Sequence, residues 1–186
     1  MSENYLLPIK DILSGKQNLN FDFDGQDYLA SLAKEYNLNC TIDRPIKVSV
    51  HLIPQKTGIL IQGRIAGIVT LTCDRCAEEY AQKISTEFDE FEVNPEADTS
   101  DFEDVEPLES RIIYDAKQNL VLDLGAVIWE EFLLAQPLKP LCQENCKGLC
   151  PICGTNLNLD SCHCQKDEGD PRLAVLRGLK IPPRKS

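Results

Sequence analysis

The stretch PIKVSVHLIPQKTGILIQGRIAGIVTLTCDRCAEEY, residues 45–80, decides the fold of this 186-residue chain. Its opening part alternates between apolar and polar residues, and this period of two predicts a half-buried β-strand. The apolar face of that strand carries Ile46, Val48, Val50 and Leu52. The run at 59–72 continues as a second extended segment, with Gly63 and Gly67 inside it. Interior glycines in a long strand are typical of a bend or bulge, so we expect the sheet to curl there.

A third strand follows the Cys-x-x-Cys pair, CDRC, at residues 73–76. Tyr80, Ile84 and Phe88 are spaced four residues apart, which places them on one face of this strand. The three strands therefore predict an antiparallel meander, in which the CDRC pair is the tight connection between the last two strands.

Stretches of helical period flank the meander. Residues 25–36 have apolar side chains at helical spacing, and Asp123 can cap a longer helix over 124–135 that ends before Pro137. Pro171, directly after Asp170, starts a further short helix. We therefore predict an α+β fold, with a curved antiparallel β-meander packed against one main helix and a Cys-rich, zinc-stabilised C-terminal segment.

The net charge of −11 is concentrated in one segment. Residues 87–109 contain eleven Asp or Glu and no Lys or Arg, whereas the remaining 19 acidic and 19 basic residues balance. The proline-containing part at 94–110 predicts a solvated, flexible linker; the alternative is a polyanionic arm that docks on a basic partner or mimics nucleic acid. The end of the chain is basic and supplies candidate contacts to a partner or to RNA, namely Arg172, Arg177, Lys180, Arg184 and Lys185.

The cysteine content indicates metal binding. The N-terminus has no secretory signal pattern and the apolar runs are too short to span a membrane, so we expect a cytoplasmic protein. Persistent disulfides are rare in that reducing compartment, and nine cysteines there indicate thiolate ligation of a metal. The strongest motif is CPICG at 150–154, where Pro151 stiffens the turn and Gly154 permits a positive φ.

Two groups of four thiols can be assembled from the spacing. The Cys150 and Cys153 pair, with Cys162 and Cys164, could close a tetrahedral structural Zn²⁺ site, and His163 could replace either of the last two ligands. A second site could join Cys73 and Cys76 to Cys142 and Cys146, which would leave Cys40 as a buried apolar residue. The alternative is a single site that draws on any four of the six distal thiols, so the sequence predicts one or two Zn²⁺ ions.

No catalytic constellation is recognisable in the sequence. Neither of the two histidines, His51 and His163, is near a plausible nucleophile, and no phosphate-binding glycine loop occurs. A redox role for CDRC would favour a strand-to-helix junction, and an iron–sulfur cluster would favour ferredoxin spacings. We therefore expect a protein that is not an enzyme and that has no small-molecule substrate.

Five motifs in combination resemble the bacterial YceD family, the large ribosomal RNA subunit accumulation proteins. They are LTCDRCAEEY at 71–80, PLKPLC at 137–142, CKGLCPICGTNLN at 146–158, CHC at 162–164 and DPRLAVLRGLK at 170–180. The resemblance implies a cytoplasmic role in the accumulation or maturation of 23S ribosomal RNA, without a known catalytic activity. Family members with His-x3-His in place of Cys142 and Cys146 imply that these two residues share one cage with Cys73 and Cys76.

The residues and the resemblance together predict a non-enzymatic accessory factor in ribosome biogenesis. Its partner would be a large-subunit ribosomal protein, ribosomal RNA or an RNA-maturation enzyme; a protein is favoured because the acidic segment would repel RNA. The α+β body would span residues 1–141, and the zinc segment with its basic docking helix would span residues 142–186. Two other functions stay open: a general zinc-binding protein-interaction module, and a thiol oxidoreductase that uses CDRC.

Overall fold

A computed structural model describes residues 5–14, 19–95 and 110–164. Most of the predicted acidic linker, the predicted helix that begins at Pro171 and the basic C-terminal residues lie outside these ranges. The elements in chain order are β1 Leu6–Pro8, α1 Ile9–Ser14, β2 Leu19–Asp24, α2 Gln26–Glu35, β3 Cys40–Thr41, β4 Ile46–Pro54, β5 Gly58–Thr72, β6 Glu79–Val93, β7 Ile112–Tyr114, β8 Leu120–Asp123 and α3 Leu124–Leu134.

The predicted meander is confirmed as the centre of the larger sheet. Strands β4, β5 and β6 pair antiparallel in chain order, and the CDRC residues connect β5 to β6. The apolar face of β4 is buried as its alternation predicts, and so are Ile84 and Phe88 of β6. Strand β2 adds to the outer edge of β4, and the short β3 pairs with the end of β5. The sequence did not predict β2 and β3.

The glycines of β5 make room for facing side chains, and the expected bulge is wrong. The pairing of β5 with β4 and β6 runs without an inserted residue through both Gly63 and Gly67. A Cβ atom at Gly63 would lie 2.1 Å from the ring of Phe88, and one at Gly67 would lie 2.9 Å from the side chain of Ile46. The absence of a side chain therefore lets neighbouring strands carry large residues at these two positions.

The helices cover the apolar face of this sheet, as the α+β prediction requires. Helix α3 begins where predicted: the carboxylate of Asp123 accepts a hydrogen bond from the N–H of Ala126. Its buried residues Val127, Ile128 and Phe132 share one hydrophobic core with the sheet and with Leu29 of α2. The α+β class is confirmed, although the body contains a second, three-stranded sheet in the order β1-β8-β7 that the sequence did not predict.

An ion-pair group lies at the C-terminal end of β6. Arg111 lies just before β7 and pairs with Glu92 of β6, whose side chain is only 7% exposed, and with Glu130 of α3. Its backbone N–H also donates to the carboxylate of Glu92. Because one guanidinium contacts carboxylates of both β6 and α3, this group fixes the position of Arg111 relative to these two elements.

Candidate metal centres

The turn between β5 and β6 presents two sulfur atoms on the same side. The N–H of Cys73 donates to the carbonyl of Glu78, and the N–H of Ala77 donates to the carbonyl of Cys73, which closes a tight loop. Ala77 adopts a positive φ of 58° to complete it. Cys73 and Cys76 are both buried, at 2% and 3% exposure.

The segment after α3 folds back onto this turn. The N–H of Asp74 donates to the carbonyl of Pro140, and the guanidinium of Arg75 donates to the carbonyls of Glu144 and Cys146 at 3.2 and 2.9 Å. The side chain of Arg75 therefore holds the Cys142–Cys146 segment against the β5–β6 turn, in which Arg75 itself lies. No residue spacing in the sequence indicates this role, because the acceptors are main-chain carbonyls.

Four sulfurs meet at this junction, and we call them the sheet-turn cluster: Cys73, Cys76, Cys142 and Cys146. All four lie within 4.8 Å of one another, with Cys73 and Cys146 separated by 3.8 Å and Cys76 and Cys142 by 3.7 Å. A disulfide would require a separation of about 2.05 Å. A tetrahedron of sulfurs each about 2.3 Å from a central ion has edges of about 3.8 Å, so the observed separations fit a four-thiolate metal site.

A second group, the knuckle cluster, lies further along the chain: Cys150, Cys153, Cys162 and Cys164. Its sulfurs also lie within 4.8 Å of one another. The N–H of Gly154 donates to the carbonyl of Cys150, and Gly154 has the positive φ, 74°, that its place after CPIC requires. His163, the predicted substitute ligand, is exposed and is not a member of the cluster.

The two clusters share one small scaffold. The N–H of Leu149, next to Cys150, donates to the carbonyl of Arg75, and Leu149 forms an isolated bridge with Asn156. Asn158 reaches back from the knuckle cluster: its amide N–H donates to Cys146 Sγ at 3.3 Å. Its amide oxygen accepts from the N–H of Lys147 at 2.8 Å. One asparagine therefore orients a thiol of the other cluster.

The thiol pKa values differ sharply within each cluster. In the sheet-turn cluster, burial acts to raise the pKa of Cys73, but hydrogen bonds from the backbone of Cys142, Arg75 and Cys76 outweigh it and lower the pKa to about 6. Burial and the neighbouring thiols raise the pKa of Cys142 to about 12.

The knuckle cluster repeats the pattern. The Thr155 hydroxyl and N–H lower the pKa of Cys153 to about 6, whereas Cys153 and burial raise the pKa of Cys164 to about 12. Four thiolates at this spacing repel one another unless a cation lies between them, so each cluster is chemically suited to a metal ion.

The remaining predicted residues fall into two groups. Cys40 of β3 is half-buried against the core, away from both clusters, and burial raises its pKa to about 11. The candidate partner contacts from Arg172 to Lys185 lie outside the described residues. Among the described helices, none is long and apolar enough to cross a membrane.

Comparison with known proteins identifies relatives across bacteria and plants. The profile of the family described as large ribosomal RNA subunit accumulation protein YceD matches residues 61–180, which include both cysteine clusters. A protein of the same description from Haemophilus influenzae is 28% identical over 142 residues, covering 75% of this chain and 76% of the relative. The uncharacterised protein YlbN of Bacillus subtilis is 29% identical over 165 residues, covering 86% and 88%.

Plant relatives are longer than this chain. The chloroplastic YCED homolog 1 of Arabidopsis thaliana is 27% identical over 156 residues, which cover 73% of this chain and 49% of the relative. The chain therefore spans about half the length of the two plant relatives that it matches. No solved structure matches significantly.

Proposed function

Because the chain belongs to the YceD family, whose members are described as large ribosomal RNA subunit accumulation proteins, we propose that it is a non-enzymatic accessory factor in ribosome biogenesis. It supports the accumulation or maturation of the 23S ribosomal RNA of the large subunit. The observation that carries this proposal is the family match over residues 61–180, which spans both cysteine clusters and most of the meander.

We propose further that each cluster binds one Zn²⁺ ion. Thiolates are ligands that zinc prefers, and a site with four protein sulfurs leaves no position for a reactive water, so the ion would supply structural cross-linking. In the sheet-turn cluster it would join the β5–β6 turn to residues 142–146. The segment 142–186 would then be a zinc-stabilised appendage on a body formed by residues 1–141.

Asn158 provides a test of the shared scaffold. Replacing Asn158 by alanine should lower the affinity of the sheet-turn cluster for zinc by about tenfold or more, because a hydrogen bond that orients a ligand commonly contributes that much. Competition with a chromogenic chelator measures the affinity. Asn145→Ala is the matched control, since Asn145 is exposed and has no hydrogen bond. Equal affinities in the two variants would contradict the role assigned to Asn158.

The surroundings of CDRC support a structural role over a redox role. Two further sulfurs lie within 4.8 Å of the pair, and a strand-to-strand turn holds it. A thiol oxidoreductase needs an accessible attacking sulfur, whereas Cys73 and Cys76 are 2% and 3% exposed. The partner that we favour is a basic protein of the large subunit, encountered in the cytoplasm, because the acidic residues 87–109 would repel RNA.

Depletion of the protein in its host tests the assembly role. We expect a loss of mature large subunits on a sucrose gradient, a fall in 23S relative to 16S ribosomal RNA, and rescue by the wild-type gene. Normal large-subunit and 23S levels after complete depletion would overturn the proposal. They would favour a zinc-binding interaction module that acts elsewhere.

A further inference from the structure

Strand β6 forms one edge of the larger sheet. Among the described residues, β5 is the strand that pairs with β6 over its whole length, and no other strand lies on its far side. The ladder between β5 and β6 begins at Cys73, whose N–H donates to Glu78, and ends at Asn94, whose N–H donates to Thr57. Backbone groups in an antiparallel ladder alternate in direction, so these two bonds fix which residues of β6 face β5.

Even-numbered residues of β6 point their N–H and C=O groups toward β5, and odd-numbered residues point theirs away. The outward-pointing residues are Glu79, Ala81, Lys83, Ser85, Glu87, Asp89, Phe91 and Val93. Every one of them is exposed. The carbonyl of Lys83 accepts a hydrogen bond from the side-chain amide of Gln82, and the other outward-pointing main-chain groups have no partner strand among the described residues along the fifteen residues of β6.

Charge is the one usual protection against strand pairing that this edge carries, and the others are missing. Natural edges are shortened, bulged or interrupted by proline, because an open edge recruits other strands. Strand β6 is 15 residues long, contains no proline and pairs with β5 without an inserted residue. Near its end, Phe91 and Val93 are 45% and 46% exposed, and Phe91 lies beside Leu60 of β5. A strand added here would cover apolar side chains as well as backbone groups.

The charge of the edge selects the partner. Glu87, Asp89, Glu90 and Glu92 lie in its second half, and seven more acidic residues follow in 96–109 without a basic one. A second copy of this chain would place another β6 strand, with five acidic residues and one basic residue, Lys83, beside this one, so like charges would outnumber opposite ones. A basic segment would be attracted instead.

We propose that β6 binds an extended, basic segment of a partner protein, which adds to the sheet as a further strand. Main-chain hydrogen bonds to the outward-pointing residues would supply affinity, and lysine or arginine side chains opposite Glu87 and Asp89 would supply selectivity. Only the assignment of this partner to the ribosomal large subunit rests on the proposed function. Peptide binding is measured on the purified protein and does not depend on the depletion experiment. Binding can therefore be absent while depletion still lowers 23S ribosomal RNA, and binding can be present while depletion has no effect.

The test uses a short synthetic peptide of alternating lysine and valine, with a glutamate–valine peptide as its charge control. Titration into ¹⁵N-labelled full-length protein should shift the amide signals of the odd-numbered β6 residues and slow their hydrogen exchange. The even-numbered amides already bond to β5, so they should change little. The glutamate–valine peptide should not bind.

Ser85→Pro provides the matched backbone test. Its N–H points to solvent, and proline is tolerated on an edge strand in that orientation. We expect peptide affinity to fall about tenfold or more, because the ring removes a donor and blocks approach of the added strand. Ser85→Ala keeps the N–H and should bind as the wild type does.

If Ser85→Pro does not fold, the amide data on the wild-type protein are enough to test the proposal. Three results would overturn it. One is peptide-induced shifts that avoid the odd-numbered β6 amides. Another is equal binding of the two peptides. The third is protection of these amides before any peptide is added. If deleting residues 165–186 removes that protection, the occupant is the chain's own basic end; if dilution removes it, the occupant is a second copy.

Discussion

Replacing Cys76 by serine should lower the zinc content of the purified protein from about two ions to about one and destabilise the fold by several kcal/mol. The apparent binding free energy of a structural zinc site becomes folding free energy, and it exceeds the net stability of a typical domain. Cys76 lies 3.7 Å from Cys142 and is 3% exposed, so a serine would leave the buried thiols of Cys73 and Cys146 and the half-buried thiol of Cys142 without a closed site. The turn and residues 142–146 would then lose their cross-link.

Elemental analysis of anaerobically prepared protein, together with thermal unfolding, measures both effects. Cys40→Ser is the control, because Cys40 is free and lies in neither cluster. That variant should keep two ions and lose only the small contribution of a half-buried side chain. If Cys76→Ser keeps both ions and the wild-type melting temperature, the sheet-turn cluster does not bind metal. Retained zinc with lost thiol exchange would favour the redox alternative.

Replacing a cysteine of the knuckle cluster by serine should have a different effect from replacing Cys76. Cys153 is exposed, whereas the sheet-turn cluster lies at the end of the two longest strands. Loss of the ion from the knuckle cluster would therefore unfold residues 150–164 before it affected the core. The order of zinc release during chelation should follow this difference in burial, with the knuckle ion leaving first.

The sequence predicts the parts of this protein that depend on local pattern. The alternation of apolar and polar residues predicted β4, and the spacing of Tyr80, Ile84 and Phe88 predicted which face of β6 packs against the core. Counting also predicted one of two possible groupings of the thiols, because two incomplete pairs need each other, but it left open a single site drawn from the six distal thiols. The structure brings together the same four residues that the sequence combined, namely Cys73, Cys76, Cys142 and Cys146.

The parts that the sequence did not predict depend on contacts between distant segments. Strands β1 and β8 have three and four residues, too few for a periodic signal, and each is held by pairing within the sheet β1-β8-β7, of which only β7 lies in a segment, 111–115, that the sequence predicts as extended. Gly63 predicts a bend or bulge from the sequence alone, because the sequence does not show that Phe88 lies opposite. Arg75 and Asn158 act on a carbonyl and a thiol that are 71 and 12 residues away. Their side chains resemble ordinary surface residues until the fold is known.

Replacing Arg111 by methionine should destabilise the protein by about 2–3 kcal/mol at neutral pH. This loss is smaller than the usual cost of breaking a fully buried ion pair, because the side chain of Arg111 is 27% exposed. The carboxylate of Glu92, 7% exposed, would lose its guanidinium at 3.4 Å and keep the hydrogen bond from the N–H of residue 111. Arg64→Met is the matched control. The Arg64–Glu87 pair has the same chemistry, but its side chains are 59% and 78% exposed, so its loss should cost well under 1 kcal/mol.

The pH dependence distinguishes lost charge pairing from lost packing. Burial raises the pKa of Glu92 above its ordinary value even though Arg111 acts to lower it. A carboxyl with a raised pKa in the folded state contributes fully below its unfolded pKa and loses that contribution as the pH rises through the folded pKa. Without Arg111 the pKa of Glu92 rises further, so the deficit of Arg111→Met should be largest at neutral pH and shrink toward about pH 3, where the carboxyl is protonated in both states. Adding Glu92→Gln should restore much of the loss at pH 7. A deficit that is equal at both pH values and unaffected by Glu92→Gln would mean that Arg111 acts through packing alone.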